Sequence, residues 1–247
     1  MSMNIVIDWG NSRVKAAVFS DDKLIETKVF PEEDIITSLS FYIQDHKIDN
    51  GILASVAMHP PGLESMLQTN LGFFIKLDMN TPLPIINAYT SPDTLGMDRL
   101  PLAVAAHMMN PGVNNLVISC GTCITYNFVQ KNRTFRGGAI SPGLHMRLQA
   151  MHQFTEKLPQ VKVEGDLLLL GYDTATCMRS GAVYGMAAEI DGMIAEFASQ
   201  YPEFNATLTG GDAAYFESRL KSKIFADPYL SLRGLNLILK HNVPYSR

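Results

Sequence analysis

One pattern occurs twice in this chain and limits what it can fold into. Asn4-Ile5-Val6-Ile7-Asp8-Trp9-Gly10-Asn11 lies over Asn115-Leu116-Val117-Ile118-Ser119-Cys120-Gly121-Thr122. Each copy is an apolar, β-rich run that ends at a tight turn with Gly. A second strand-like run follows, over residues 13–19 in the first copy and 123–129 in the second. A third strand comes next, over residues 24–30 and, in the later copy, up to about Ile140. A repeat of this size reads as a duplicated domain, not a solenoid, although strand–Gly turn–strand is common enough to recur by coincidence. Pro111-Gly112 marks the boundary, giving domains at 1–112 and 113–247.

Helical spacing is expected over residues 31–43, where Pro31 and three acids open the segment, and over 63–71, 100–109, 144–154, 176–199, 212–220 and 230–240. Strands are expected at 52–57, 73–77 and 207–209. The chain is therefore α/β.

Composition narrows the function classes. With 247 residues, 47% of them hydrophobic and 18% charged, the chain buries a sizeable core, so wholesale disorder is excluded. Lys+Arg 20 against Asp+Glu 24 leaves no basic surplus to neutralise a phosphate backbone, and nucleic acid is not an expected partner. Three cysteines are too few for a disulfide framework and point to a reducing compartment. No basic segment leads into a long apolar stretch, and no run reaches the ~18 apolar residues of a membrane span. A soluble cytoplasmic protein is expected.

The repeated turns are suited to phosphate. A tight Gly turn directs backbone N–H groups outward as an anion nest, and two such turns can hold a polyphosphate from both sides. The first turn carries Asp8-Trp9-Gly10-Asn11-Ser12-Arg13-Val14-Lys15. Asp8, ending a buried strand, is a hard oxygen ligand for Mg²⁺, and Lys15 can neutralise phosphate charge. An ordinary hairpin with an Asp at its turn fits the same residues. Gly96-Met97-Asp98-Arg99 precedes a helix; Asp98 can take a proton from an attacking hydroxyl or can simply cap the helix. Gly210-Gly211 joins a strand to a helix and can approach a nucleotide or merely reverse the chain. Cys120-Gly121-Thr122-Cys123 is a C-x-x-C motif on a strand–turn–strand, where structural filler is the simpler reading.

Taken in order, Asp8 to Lys15, Gly96 to Arg99, Gly121-Thr122-x-x-Thr125, Gly137-Gly138-Ala139-Ile140-Ser141-Pro142-Gly143 and Thr209-Gly210-Gly211 resemble the type III pantothenate kinases of the actin-like ATPase and sugar/acetate kinase superfamily. The resemblance implies duplicated ribonuclease H-like domains, each a mixed five-stranded sheet with flanking helices. It implies transfer of the ATP γ-phosphoryl group to the 4′-hydroxyl of pantothenate, the first step of coenzyme A biosynthesis. It makes Asp8, Trp9, Gly10, Asn11, Ser12, Arg13, Val14 and Lys15 the first ATP-binding segment, with Asp8 on the metal. Thr122, Gly210 and Gly211 become further ATP contacts and Asp98 the general base. Tyr89, Gly96, Met97, Asp98 and Arg99 become pantothenate contacts. So does Thr174, which in the family reaches across a homodimer interface.

The sequence departs from the family at the second turn. There the family has an Asp that helps bind a monovalent cation, K⁺ or NH₄⁺, and this chain has Ser119. A neutral hydroxyl is a poorer cation ligand than a carboxylate. Another small-molecule kinase of the superfamily, or a nucleotide-binding regulatory protein weakened in catalysis, are the competing readings.

Overall fold

Two sheets carry the chain, and their strands follow the same order. A computed structural model describes residues 2–10, 14–201 and 203–244. The first half runs β1 (Met3–Trp9), β2 (Val14–Ser20), β3 (Lys23–Phe30), α1 (Ile35–Asp45), β4 (Asn50–Ser55), α2 (Leu63–Asn70) and β5 (Phe73–Lys76). These strands form a sheet in the order β3-β2-β1-β4-β5. β2 is antiparallel to its two neighbours, whereas β4 runs parallel to β1 and β5. β6 (Ile86–Asn87), a 3₁₀ turn (Pro92–Thr94) and α3 (Arg99–Met109) follow.

The second half runs β7 (Asn114–Cys120), β8 (Cys123–Val129), β9 (Thr134–Pro142), α4 (Leu144–Gln153), α5 (Thr174–Gln200), β10 (Phe204–Thr209), α6 (Ala213–Glu217), β11 (Phe225–Ala226) and α7 (Leu230–Asn242). Its sheet order is β11-β10-β7-β8-β9-β6. Without the short β6 this is the first sheet read from its other edge, with β7 antiparallel to β8 and parallel to β10. The repeat in the sequence is therefore a repeat of topology.

The central strands explain why the copies stand out. β1 and β7 have parallel and antiparallel neighbours and are covered on both faces, so they read as continuous apolar runs. In the second core, Ile118, Cys120, Ile124, Tyr126 and Leu208 pack with Ala182, Val183, Met186 and Ile190 of α5. Cys120 is part of that core, and burial pushes its thiol up to about 12. Cys120, Cys123 and Cys177 are all free thiols.

Contacts divide the chain into two compact units. The first comprises Met1–Met109, Arg133–Phe135 and Tyr229–Arg247; the second comprises Asn110–Asn132 and Arg136–Pro228. This departs from a single cut after residue 112. The last helix belongs with the first unit because Leu232, Leu235, Ile238 and Leu239 of α7 are buried and α7 packs along α3. Residues 133–135 join the first unit through pairing of Ile86 with Thr134 and Asn87 with Phe135. Helix α1 also begins later than expected, at Ile35, because Asp34 takes a left-handed conformation with φ 53°. Among the described residues, no helix is long and apolar enough to cross a membrane.

Candidate active site

The first unit carries two carboxylates, and the charge of Asp8 bears on Asp98. Asp8 stands on β1 directly opposite Lys15 on β2. Desolvation by burial pushes the Asp8 pKa up, while a hydrogen bond from Ser231 and the Lys15 charge pull it down. Ser231 Oγ donates to Asp8 Oδ2 at 2.8 Å. Asp98 directly precedes α3 and is exposed. The protein around it and the Asp8 charge still push its pKa up, against the opposing pull of its own N–H, the Arg99 charge and the Arg99 N–H. Gly96 has a steric reason to be glycine. A Cβ at that position would stand 2.5 Å from Asp98 Oδ1, so the bare Cα leaves room for the carboxylate.

A second cluster in the same unit surrounds Arg99. Its guanidinium lies 5.7 Å from the Tyr89 ring centroid and 5.8 Å from that of Phe135. The two rings stack with centroids 6.3 Å apart, and Arg99 is 3% exposed, held as a desolvated cation against aromatic faces. β6 sets this geometry. Its register with β9 and the hydrogen bond from Ala88 N to Phe135 O at 3.1 Å carry Tyr89 alongside Phe135.

In the second unit, three glycine segments meet at the β7–β8 turn. Gly143 N donates to Thr122 O at 3.1 Å, and a Cβ on Gly143 would lie 2.6 Å from that oxygen. Asp212 N donates to Cys120 O at 3.0 Å. Gly210, at φ 98°, is pressed so closely on Cys120 that a Cβ would lie 2.7 Å from the carbonyl carbon. Gly211 has open space around its Cα. Gly210 therefore serves chain packing, and Gly211 is the accessible one.

Some expected residues fall elsewhere. Side chains alternate along a strand, so Asp8 and Lys15 share one face of the β1–β2 pair, while the opposed Trp9 and Val14 take the other. Trp9 and Val14 are core residues, 2% and 1% exposed, and only their backbone can meet a nucleotide. Asn11, Ser12 and Arg13 lie outside the described residues. Gly10 and Met97 are half-buried. Thr174 is exposed and opens α5, whose N-terminus is fixed by a capping box between Asp173 and Thr176. Sequence reasoning missed Ser231 and Phe135. Nothing local marks either; each acquires its place through packing or pairing with a distant strand.

The donor set suits a divalent cation better than a charged monovalent site. Asp8 and Asp98 are two mutually repelling carboxylates, an arrangement that Mg²⁺ relieves with one or two carboxylates, water and substrate phosphate. Among the described residues, no group of three or more His, Cys, Asp or Glu forms a metal cluster. Ser119 pairs with Thr125 on β8 and Thr209 on β10, which makes a row of three hydroxyl residues across the sheet.

Comparison with known proteins agrees along the whole chain. A family model for type III pantothenate kinase matches residues 4–196. A type III pantothenate kinase of Bacteroides fragilis is 44% identical over 240 residues, covering 97% of this chain and 98% of that protein. One from Phocaeicola vulgatus is 42% identical over 241 residues, covering 97% and 99%. The crystal structure of a ROK hexokinase from Thermus thermophilus shares the fold, with a TM-score of 0.52 at 14% identity over 98% of this chain and 100% of that one.

Proposed function

Because the chain belongs to the type III pantothenate kinase family, we propose specific roles for its residues in phosphorylating pantothenate. The reaction is the ATP-dependent phosphorylation of pantothenate in coenzyme A biosynthesis, and as a kinase the enzyme uses a divalent metal. The observation that carries the assignment is geometric: one unit holds Asp8 on β1, fixed by the Ser231 hydroxyl, and Asp98 at the start of α3, where Gly96 clears room for its carboxylate.

Asp98 is the general base. The acceptor oxygen, the 4′-hydroxyl by the family resemblance, forms the new P–O bond, the bond from the γ-phosphorus to ADP breaks, and the hydroxyl proton passes to the Asp98 carboxylate. The transition state is loose, so the proton leaves late and positioning supplies most of the rate. Asp8 would hold Mg²⁺, which when bound neutralises phosphate charge. Lys15, Gly10, Thr122 and Gly211 are proposed ATP contacts, with the backbone of Trp9 and Val14. Gly210 shapes the loop that presents Gly211. Tyr89, Gly96, Met97, Arg99 and Thr174 are proposed pantothenate contacts. A homodimer is supported by Leu169 and Leu170, 77% and 87% exposed, and Tyr172, 69% exposed, just before Thr174. The test is a coupled ADP-release assay with pantothenate against a panel of hydroxylated small molecules. Equal or greater turnover with another acceptor rejects pantothenate, and no turnover with any acceptor favours a regulatory nucleotide binder.

Two outcomes follow from the site. Ser231→Ala should raise the Mg²⁺ concentration for half-maximal activity about tenfold, since a hydrogen bond to a charged group is worth ~1.5–3 kcal/mol. Magnesium titration at saturating ATP measures it. An unchanged midpoint would mean that Ser231 does not orient Asp8. We also propose that K⁺ or NH₄⁺ binds weakly through neutral oxygens of the Ser119, Thr125 and Thr209 row. Ser119→Asp should then lower the activating K⁺ concentration by about tenfold, the order of one charge-assisted contact. Activity independent of both ions, in the parent and in the variant, would exclude a site there.

A further inference from the structure

A half-buried ionic network lies behind the Gly121-Thr122 turn, and none of its members has a part in the roles proposed above. Glu189 of α5 accepts from Tyr126 Oη at 3.0 Å and from Ser141 Oγ at 3.1 Å. It forms an ion pair with Arg147 of α4, whose side chain is 21% exposed against 28% for Glu189. Arg147 also donates from Nη2 to Ser141 Oγ at 3.0 Å and from Nε to Pro142 O at 2.8 Å. One carboxylate therefore gathers β8, through Tyr126, and the end of β9, through Ser141 and Arg147.

The next residue along the chain is Gly143, whose N–H holds Thr122 O at 3.1 Å. No side-chain atom separates the two segments, because a Cβ on Gly143 would overlap the carbonyl oxygens of Gly121 and Thr122. Displacement of Pro142 thus reaches Thr122 directly. Tyr126 lies on the same strand as the turn, at the position paired with Ile118. The turn is held from its own strand and from the neighbouring segment, and both holds end on Glu189.

Stability alone gives little reason for such a network. Partly buried ion pairs recover little more than their desolvation cost, and well-packed apolar residues commonly serve as well or better. A fixed arrangement of three partners around one carboxylate does supply geometry. We propose that Glu189 and Arg147 are positioning residues that hold the Gly121-Thr122 turn in the shape that receives the phosphate end of ATP. This rests on the assignment of Thr122 as an ATP contact and does not depend on which alcohol is the acceptor.

The experiment is calorimetric binding of a non-hydrolysable ATP analogue with Mg²⁺ to the full chain, which needs no acceptor. ATP and pantothenate KM values are measured alongside. Glu189→Gln should weaken analogue binding and raise the ATP KM about tenfold, with the pantothenate KM within about twofold. Arg147→Lys should recover part of the affinity that Arg147→Met loses. If Glu189→Gln folds poorly, Tyr126→Phe removes a single donor and should weaken the analogue about threefold. Adding Tyr126→Phe to Glu189→Gln should cost less than Tyr126→Phe does in the parent, because the two residues share one hydrogen bond. Parental analogue affinity in Glu189→Gln or Tyr126→Phe, additive losses in the double variant, or equal rises of both KM values that follow a fall in Tm would overturn the proposal. A parent that binds the analogue but phosphorylates no pantothenate refutes the functional reading and leaves this test intact.

Discussion

Asp98→Asn is expected to fold, to bind ATP and pantothenate with near-parental KM, and to lose at least about a hundredfold in kcat, the lower bound of what a positioned general base contributes. The substitution is close to isosteric, and the gap left by Gly96 accepts the amide as it accepts the carboxylate. What disappears is the proton acceptor and one of two repelling negative charges. The stability consequence has a definite sign. The Asp98 pKa lies above its ordinary value of 3.8 because the surroundings and Asp8 disfavour the charged form. Below 3.8 the group is protonated in both folded and unfolded chains and costs nothing. Through the window up to its raised pKa the cost of the charge grows, and above that window it stays constant. The Asn variant should therefore melt above the parent at neutral pH, and the difference should vanish as the pH falls below 3.8. Single-turnover phosphoryl transfer with thermal melts at both pH values tests both halves. Near-parental kcat removes Asp98 as the base. A variant melting below the parent at neutral pH would show that its charge is not held against an unfavourable environment.

How much of this was legible depended on the range over which each signal acts. β1 and β7 were visible because central strands are apolar along their length and end at Gly turns, and β8 because it starts from one. The bounds of β8, Cys123–Val129, match the sequence reading. Asp8 and Lys15 stand out at the ends of such patterns, whereas Asp98 reads equally as a helix cap, and the roles proposed for all three come from the family resemblance. β6 and β11 are two residues each, too short to carry a period of two, so the strand that brings Tyr89 beside Phe135 had no signature of its own. Trp9 was grouped with the phosphate segment through its neighbours, yet strand alternation sends it to the core. Arg99 suits pairing with Asp98 or holding an anionic substrate, and only the fold reveals the two aromatic rings against it. Ser231 lies far along the chain from Asp8, and no local pattern records a partner at that separation. The same holds for α7 itself: chain order assigns it to the second half, and side-chain packing assigns it to the first.

Gly234→Ala should be among the most damaging single methyl additions in the first unit. In the middle of a helix this change ordinarily stabilises by up to ~1 kcal/mol. Here the added carbon would overlap the carbonyl oxygen of Pro101 and lie 2.5 Å from its carbonyl carbon. A backbone carbonyl in the first turn of α3 has no rotamer to escape into, so the two helices must separate. Separation loosens the buried row of Leu232, Leu235, Ile238 and Leu239. Overpacking of this kind costs ~1–3 kcal/mol or more. At about 2–4 °C per kcal/mol for a chain of this size, the Tm should fall by several degrees. The loss should also reach the chemistry, because α7 carries Ser231 to Asp8 and α3 begins one residue after Asp98. The Mg²⁺ midpoint should therefore rise together with the fall in Tm. Gly192→Ala in α5 is the control, since a Cβ there meets nothing within 4 Å and the same methyl should leave the Tm unchanged or higher. If both variants melt with the parent, the close approach of α3 and α7 is not what fixes the helix that orients Asp8.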